Sequence, residues 1–314
     1  MTRELGLGLQ TDKSLGKYGT LAQVAEDAGF DVVTTFNDLW FQPALPALLE
    51  IARATQRVRV GPSCLNPFTL HPVEIAGQLA MLDAASDGRA FLGLARGAWL
   101  ESLGVDQSEP VAVIREAWEI VRRLLRGDES SFAGDRFALP PGSRLRYERH
   151  RETVPLLVGT WSPLLAAFAG EAAAEVKVGG SANPDVVPVM RDRIGNDDVR
   201  IVFGAVTVVD EDRERARTIA RREVAMYLAV VAELDPTVSL DPELLARVRD
   251  GDSTNIPDDV LDRFAFAGTP ADVATHAEAL FDAGAGRIDF GTPHGDPEEH
   301  GIELLCNQVL PRLR

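Results

Sequence analysis

Val58-Arg59-Val60-Gly61-Pro62-Ser63-Cys64 is followed, after a short turn, by Pro72-Val73-Glu74-Ile75-Ala76-Gly77-Gln78-Leu79-Ala80-Met81-Leu82-Asp83-Ala84-Ala85. The first stretch is short, apolar and β-branched, which reads as a buried strand. The second repeats its apolar residues at Ile75, Leu79 and Leu82, the spacing of one helix face. This βα unit recurs in both directions. Upstream, strands over residues 5–9 and 31–36 precede helices over 21–28 and 44–55, the first helix closed by Gly29 as a C-cap. Downstream, Ser86-Asp87-Gly88 makes a turn, and strands over 90–94 and 154–158 precede helices over 111–126 and 163–174. A short strand over 175–178 and a β-branched one over 201–209 come next, and a helix over 270–283, a strand over 287–290 and a helix over 300–310 finish the chain. Eight such units predict an α/β fold of the (β/α)8 TIM-barrel type, a single domain over residues 1–314. The length beyond about 250 residues is absorbed by insertions at about 127–152 and 212–257. Phe132, Phe137 and Leu139 in the first are expected to pin it as an excursion over the barrel.

The net charge of −16 argues against nucleic acid and anionic membrane as partners. No apolar run approaches the roughly 18 residues of a membrane span, and the start of the chain carries no basic-then-apolar leader pattern. With Cys64 and Cys306 as the only cysteines, far apart in sequence, a reduced cytoplasmic setting and no metal site are expected. Neither a Walker sequence, a Gly-x-Ser-x-Gly elbow nor a dinucleotide fingerprint after the first strand is present. Paired carboxylates for glycoside hydrolysis would need acids after strands four and seven, where Arg96 and Asp210 stand.

In a barrel the chemistry collects at the carboxyl ends of the strands. Those ends carry Asn37-Asp38-Leu39-Trp40, Ser63-Cys64-Leu65-Asn66, Ala95-Arg96-Gly97-Ala98-Trp99, Gly159-Thr160-Trp161-Ser162, Gly179-Gly180-Ser181 and Gly291-Thr292-Pro293-His294. Trp40, Trp99 and Trp161 thus share one end of the barrel. Singly each could be a packing plug, but together they favour a pocket for a planar ligand. The glycines let backbone approach a ligand and offer N–H groups to an anion, although such turns use glycine anyway. Arg96 and Lys177 are the nearby cations, and Lys177 reads more readily as a paired charge than as a ligand contact. Asp38, set among Phe36, Leu39, Trp40 and Phe41, and His294, after the last strand, are the candidate proton donors. Either could instead be structural, Asp38 as a helix cap. His71, before Pro72, reads as a cap or loop residue.

Two stretches, Val60-Gly61-Pro62-Ser63-Cys64-Leu65-Asn66-Pro67-Phe68-Thr69-Leu70-His71-Pro72 and Leu82-Asp83-Ala84-Ala85-Ser86-Asp87-Gly88-Arg89-Ala90-Phe91-Leu92-Gly93-Leu94, resemble the bacterial luciferase-like superfamily. Phe132-Ala133-Gly134-Asp135-Arg136-Phe137-Ala138-Leu139 and Phe290-Gly291-Thr292-Pro293-His294-Gly295 add to the resemblance. It is nearest to the methylenetetrahydromethanopterin reductase type, whose cofactor is the deazaflavin coenzyme F420. The resemblance implies a non-prolyl cis peptide at Ser63–Cys64 behind the middle of the ring. It also implies that Asn37, Ala95, Arg96, Gly97, Ala98, Thr160, Trp161, Ser162, Gly179 and Gly180 hold the ring edge and phosphate-bearing tail. A homodimer is expected on the same ground. Deazaflavin-using relatives often show Asp-His where this chain has Asn37-Asp38, so a carboxyl stands in place of an imidazole. Ala98 replaces the Glu of sugar-phosphate dehydrogenases, which argues against glucose 6-phosphate.

The expected activity is an F420-dependent oxidoreductase acting on a C=N or C=C bond of a small molecule held against Trp40 and Trp99. The alternatives are a monooxygenase using flavin mononucleotide (FMN) and a non-catalytic flavin-binding barrel.

Overall fold

The computed structural model describes residues 2–254 and 256–314. Strands β1 (Glu4–Leu9), β2 (Val32–Thr35), β3 (Arg59–Pro62), β4 (Leu92–Ala95), β5 (Leu156–Gly159), β6 (Glu175–Gly179), β7 (Arg200–Val209) and β8 (Arg287–His294) form one parallel sheet. β8 returns to pair with β1, and bridges at Val60–Ala90 and Leu65–Leu94 join β3 to β4, so the ring closes. This is the expected (β/α)8 barrel. Around it run α1 (Lys17–Ala28), α2 (Ala44–Ala54), α3 (Pro72–Ala85), α4 (Pro110–Arg126), α5 (Pro163–Ala172) and α6 (Val186–Ile194). α1 stops at Gly29, whose φ of 101° lets its N–H reach the carbonyls of Ala25 and Glu26. His71 caps α3, its Nδ1 accepting from the Val73 N–H at 3.2 Å.

Helix α6 has no counterpart in the sequence reading. Val186-Val187-Pro188-Val189 carries strand-like residues, yet Pro188 falls in the first turn, where a missing N–H costs nothing, and Val186, Val187, Met190 and Ile194 are buried along one side. The second insertion is largely helical. The helical stretch breaks into α7 (Arg213–Ala225) and α8 (Leu228–Leu234), followed by α9 (Pro242–Arg249) and α10 (Asp258–Phe264). An accessory strand, Ala265–Gly268, then pairs with the last four residues of the ten-residue β7. Since β8 occupies the other side of β7, this strand takes the slot that β6 vacates after Gly179. α11 (Pro270–Asp282), α12 (Glu298–Leu304) and α13 (Leu310–Leu313), the last two joined through a π turn, complete the shell.

The first insertion does not cross the barrel mouth. Its hairpin, Phe132–Ala133 with Ala138–Leu139, is tied to α4 by Glu116, which accepts the N–H groups of Asp135, Arg136 and Phe137 at 2.8–2.9 Å. From there the chain descends along α3: Phe137 lies edge-on to His71, Tyr147 touches Gly77, and Arg151 pairs with Asp83. Phe132, Phe137 and Leu139 pack on the core, so they pin the segment to the flank of the barrel.

Apolar side chains between sheet and helices form the main core, while Val32, Phe91, Leu157 and Val202 make a small cluster of their own. Alternate residues of β6 and β8 carry charge: Glu175 and Lys177, Arg287 and Asp289, with apolar residues between. Strand side chains alternate in direction, so these charges share one face. Their mutual contacts put that face inside the ring. Gly6 and Gly204 stand opposite, where an added Cβ would lie 2.1 Å from Asp289 Oδ1 and 2.6 Å from Lys177 Cε.

Candidate active site at the carboxyl ends of the strands

The Ser63–Cys64 peptide bond is cis, as the resemblance implies. Strand β3 ends at Pro62, and the chain turns into the ring before Leu65 rejoins β4 through Leu65 N–H to Gly93 O at 2.9 Å. Neighbouring strands make room for this excursion with glycine. A Cβ at Gly93 would sit 2.2 Å from the Pro62 carbonyl, and one at Gly159 would sit 3.0 Å from Cys64 Sγ. Ser63, Cys64, Ala95 and Gly159 are all partly exposed, and Gly179 is exposed with nothing within 4 Å of a Cβ placed there. The floor of the mouth is therefore a shallow surface of small residues, a shape suited to the face of a planar ring. Burial pushes the Cys64 thiol up to about 11, so it is a neutral wall, not a thiolate.

At the end of β2, Asn37 Oδ1 accepts from Ala44 N–H at 3.1 Å, at the start of α2. Asp38 is partly buried, and its Oδ2 accepts from Gln10 Nε2 at 3.3 Å. Burial raises its carboxyl above the usual aspartate value, while the Gln10 hydrogen bond and the charge of Lys177 hold it back. Trp40 is 81% exposed and Trp99 50% exposed, and both have positive φ, 72° and 58°, where side chains are seldom found. Trp161 lies lower: its Nε1 donates to Gly179 O at 3.0 Å and its own carbonyl accepts from Arg193 at 2.7 Å.

After β4, Gln107 Nε2 donates to the carbonyls of Arg96 and Gly97 at 2.8 and 3.2 Å, shaping the turn that contains Ala98. The Arg96 guanidinium is exposed and has no partner among the described residues. Thr160 Oγ1 accepts the Ser162 N–H at 2.9 Å, setting the start of α5. Gly180 (φ 75°) lies under the second insertion, since a Cβ there would be 2.9 Å from Val231 and 3.3 Å from Tyr227. Tyr227 is itself anchored by its hydroxyl to Phe264 O at 3.0 Å.

His294 does not face the mouth, contrary to expectation. It is fully buried, with Nε2 3.2 Å from the Phe290 carbonyl and Nδ1 3.5 Å from Glu298. Glu298 in turn holds the buried Lys13 at 3.0 Å. The strand predicted to end at residue 290 runs on to His294 with a bulge between Gly291 and His294, and this carries the imidazole into the packing of α12. It ties the end of β8 to the start of α12 and, through Glu298, to Lys13.

Lys177 is a paired charge, as its place in an acidic chain favours. Its ammonium is buried, paired with Asp289 at 2.8 Å, and donates to Ser63 Oγ at 2.7 Å. Asp289 meets Arg287 at 2.9 Å, Arg287 meets Glu175 at 2.7 Å, and Glu175 meets Arg59 at 2.8 Å and Arg200 at 3.3 Å. Glu4 closes the lower end against Arg59 and Arg200 at 3.0 and 2.7 Å. A column of ion pairs thus fills the barrel axis up to the cis bond. The alternation Glu175-Val176-Lys177-Val178 was the available signal for it. Among the described residues no group of three or more His, Cys, Asp or Glu could hold a metal ion, and no helix is long and apolar enough to cross a membrane.

The chain is 28% identical over 320 residues to 5,10-methylenetetrahydromethanopterin reductase of Archaeoglobus fulgidus, covering 93% of this chain and 94% of that protein. It is 28% identical over 319 residues to the F420-dependent glucose-6-phosphate dehydrogenase of Nakamurella multipartita, covering 94% and 91%. Its fold superposes on the F420-dependent tetrahydromethanopterin reductase of Methanopyrus kandleri with a TM-score of 0.86 at 24% identity, over all of both chains. The family model described as luciferase-like monooxygenase matches residues 2–287. The chain belongs to that luciferase-like family.

Proposed function

We propose that this protein is a coenzyme F420-dependent oxidoreductase that transfers a hydride between the deazaflavin and a C=N or C=C bond of a small molecule. The observation that carries the reading is the floor: a cis Ser63–Cys64 bulge framed by Ala95, Gly159 and Gly179, with a carboxyl of raised pKa at its edge. Relatives whose names include F420-dependent reductases and dehydrogenases support it. Bound there, the deazaflavin would supply or accept the hydride. Ser63 and Cys64 would back its ring, and Asn37, the Ala95–Ala98 turn, Thr160, Trp161, Ser162, Gly179 and Gly180 would hold its edge and tail, with Arg96 as the free cation for the anionic end.

Trp40 and Trp99, already exposed, would cover the substrate. Asp38 would give the proton that completes reduction, since burial favours its neutral form and Gln10 can support the carboxylate left behind. Two electrons and one proton would leave the cofactor as hydride, and the second proton would come from Asp38.

The experiment is a fluorescence titration of the purified protein with oxidised F420 and, separately, with FMN. Micromolar binding of F420 is expected. Binding of FMN alone would turn the reading toward an FMN monooxygenase, and binding of neither would remove the enzyme reading.

A further inference from the structure

The ion-pair column holds four cations, Arg59, Arg200, Arg287 and Lys177, against three anions, Glu4, Glu175 and Asp289. At the lower end Glu4, Arg59 and Arg200 are partly exposed and screened by water, whereas Arg287, Asp289 and Lys177 are buried. Asp289 divides its charge between Arg287 on one oxygen and Lys177 on the other. The positive excess of the column therefore lies at its upper end, where Lys177 Nζ touches Ser63 Oγ. Ser63 accepts from the ammonium and is partly exposed on the floor, so its hydroxyl dipole carries the positive field toward the mouth. Phe36 lies against the ammonium from the β2 side, its ring centroid 5.7 Å away.

We propose that Lys177 is an electrostatic positioning residue of the ring site: its buried ammonium, one serine below the floor, favours a bound ring that carries delocalised negative charge over a neutral one. The inference rests on the ring site proposed above. Inside a protein a charge at such a range acts more strongly than in water. The 8-hydroxy-deazaflavin ring is a suitable reporter, because loss of its phenolic proton spreads a negative charge over the whole ring and changes its visible absorption. Among the described residues, the charged and titratable groups at the strand ends around the floor are Asp38 after β2, Cys64 after β3, Arg96 after β4, Lys177 on β6 and, paired with it, Asp289 on β8. Of these Lys177 is the cation that is both buried and joined to the cis segment.

The test is a pH titration of the visible absorption of oxidised F420 bound to the wild type, to Lys177→Met and to Asp289→Asn, with thermal melts confirming folding. Lys177→Met should raise the midpoint of ring deprotonation by about one pH unit. Asp289→Asn, which strips Lys177 of its counter-charge, should move the midpoint the other way. Opposite signs are the signature, because a merely structural role would perturb the site in the same sense in both variants. Midpoints that stay at the wild-type value, or that shift together, overturn the inference while leaving the cofactor reading intact. If Lys177→Met does not fold or does not bind, Lys177→Gln replaces it in the comparison with Asp289→Asn, with the same opposite signs expected. If oxidised F420 does not bind the wild type at all, the cofactor reading has failed and this inference falls with it.

Discussion

Below the cis bond, the barrel axis is filled with charges that pair with one another; above it, two tryptophans stand exposed. Lys177, Asp289, Arg287 and Glu175 are all nearly inaccessible, each within 3 Å of an opposite charge. Trp40 and Trp99 show the reverse: large apolar surfaces left exposed on backbone of positive φ. A buried ion pair is poor as a source of stability but costly to break, because the survivor is left charged and dry. An exposed aromatic on disfavoured backbone adds little to folding, in keeping with the substrate-covering role proposed for these two. One serine, Ser63, stands between these two regions, in contact with Lys177 below and partly exposed above.

The contrast can be broken from the interior with the largest effect. Arg287→Met should lower the unfolding free energy in urea by about 3–5 kcal/mol, since Glu175 and Asp289 would both lose their main partner. The same carboxylates govern acid stability. Burial alone would raise their pKa values, but the neighbouring guanidinium and ammonium groups hold both below the usual range. A depressed folded pKa contributes stability that is present above the unfolded value, near pH 4, and is lost as pH falls below it. Wild-type urea midpoints should therefore be flat at neutral pH and drop below about pH 4.

At the boundary, Asp38→Asn should slow turnover by about a hundredfold or more while leaving F420 affinity within a few-fold. A rate equal to wild type would remove Asp38 as proton donor. A smaller and sharper comparison comes from one change made in both regions. Gly204→Ala forces a Cβ to within 2.6 Å of Lys177 Cε and should cost about 1–3 kcal/mol in a thermal or urea melt. Gly179→Ala meets nothing and should leave stability unchanged, yet it raises a methyl from the floor and should weaken ring binding. Smallest of all, Trp40→Ala should alter stability by no more than about 0.5 kcal/mol, with its effect confined to substrate KM. A large loss of stability there would make the tryptophan a packing plug.

Much of the fold was legible because period and turn chemistry are local. The recurring βα pattern, the Gly29 cap and the Ser86-Asp87-Gly88 turn need only nearby residues to be recognised. Helix α6 was not, because its valines favour strand and only the requirement to bury Met190 and Ile194 overrides them. Within the site, the Ser63–Cys64 segment, the exposed tryptophans and the raised Asp38 carboxyl follow from sequence position at strand ends. The burial of His294 does not, since it depends on how far β8 extends before α12 packs against it.

By itself, then, the order of residues determined a closed barrel and which of its ends carries the mouth, since hydrophobic period and strand direction are properties of short segments. Only tertiary structure decided what the charges do. Lys177 lies 112 residues from Asp289 and 114 from Ser63, and closure of the ring brings the three together. Whether a lysine on a strand is solvated, bound to a ligand or buried in an ion pair depends on the side chains that the other strands point inward at the same height. That register exists only once the barrel has closed.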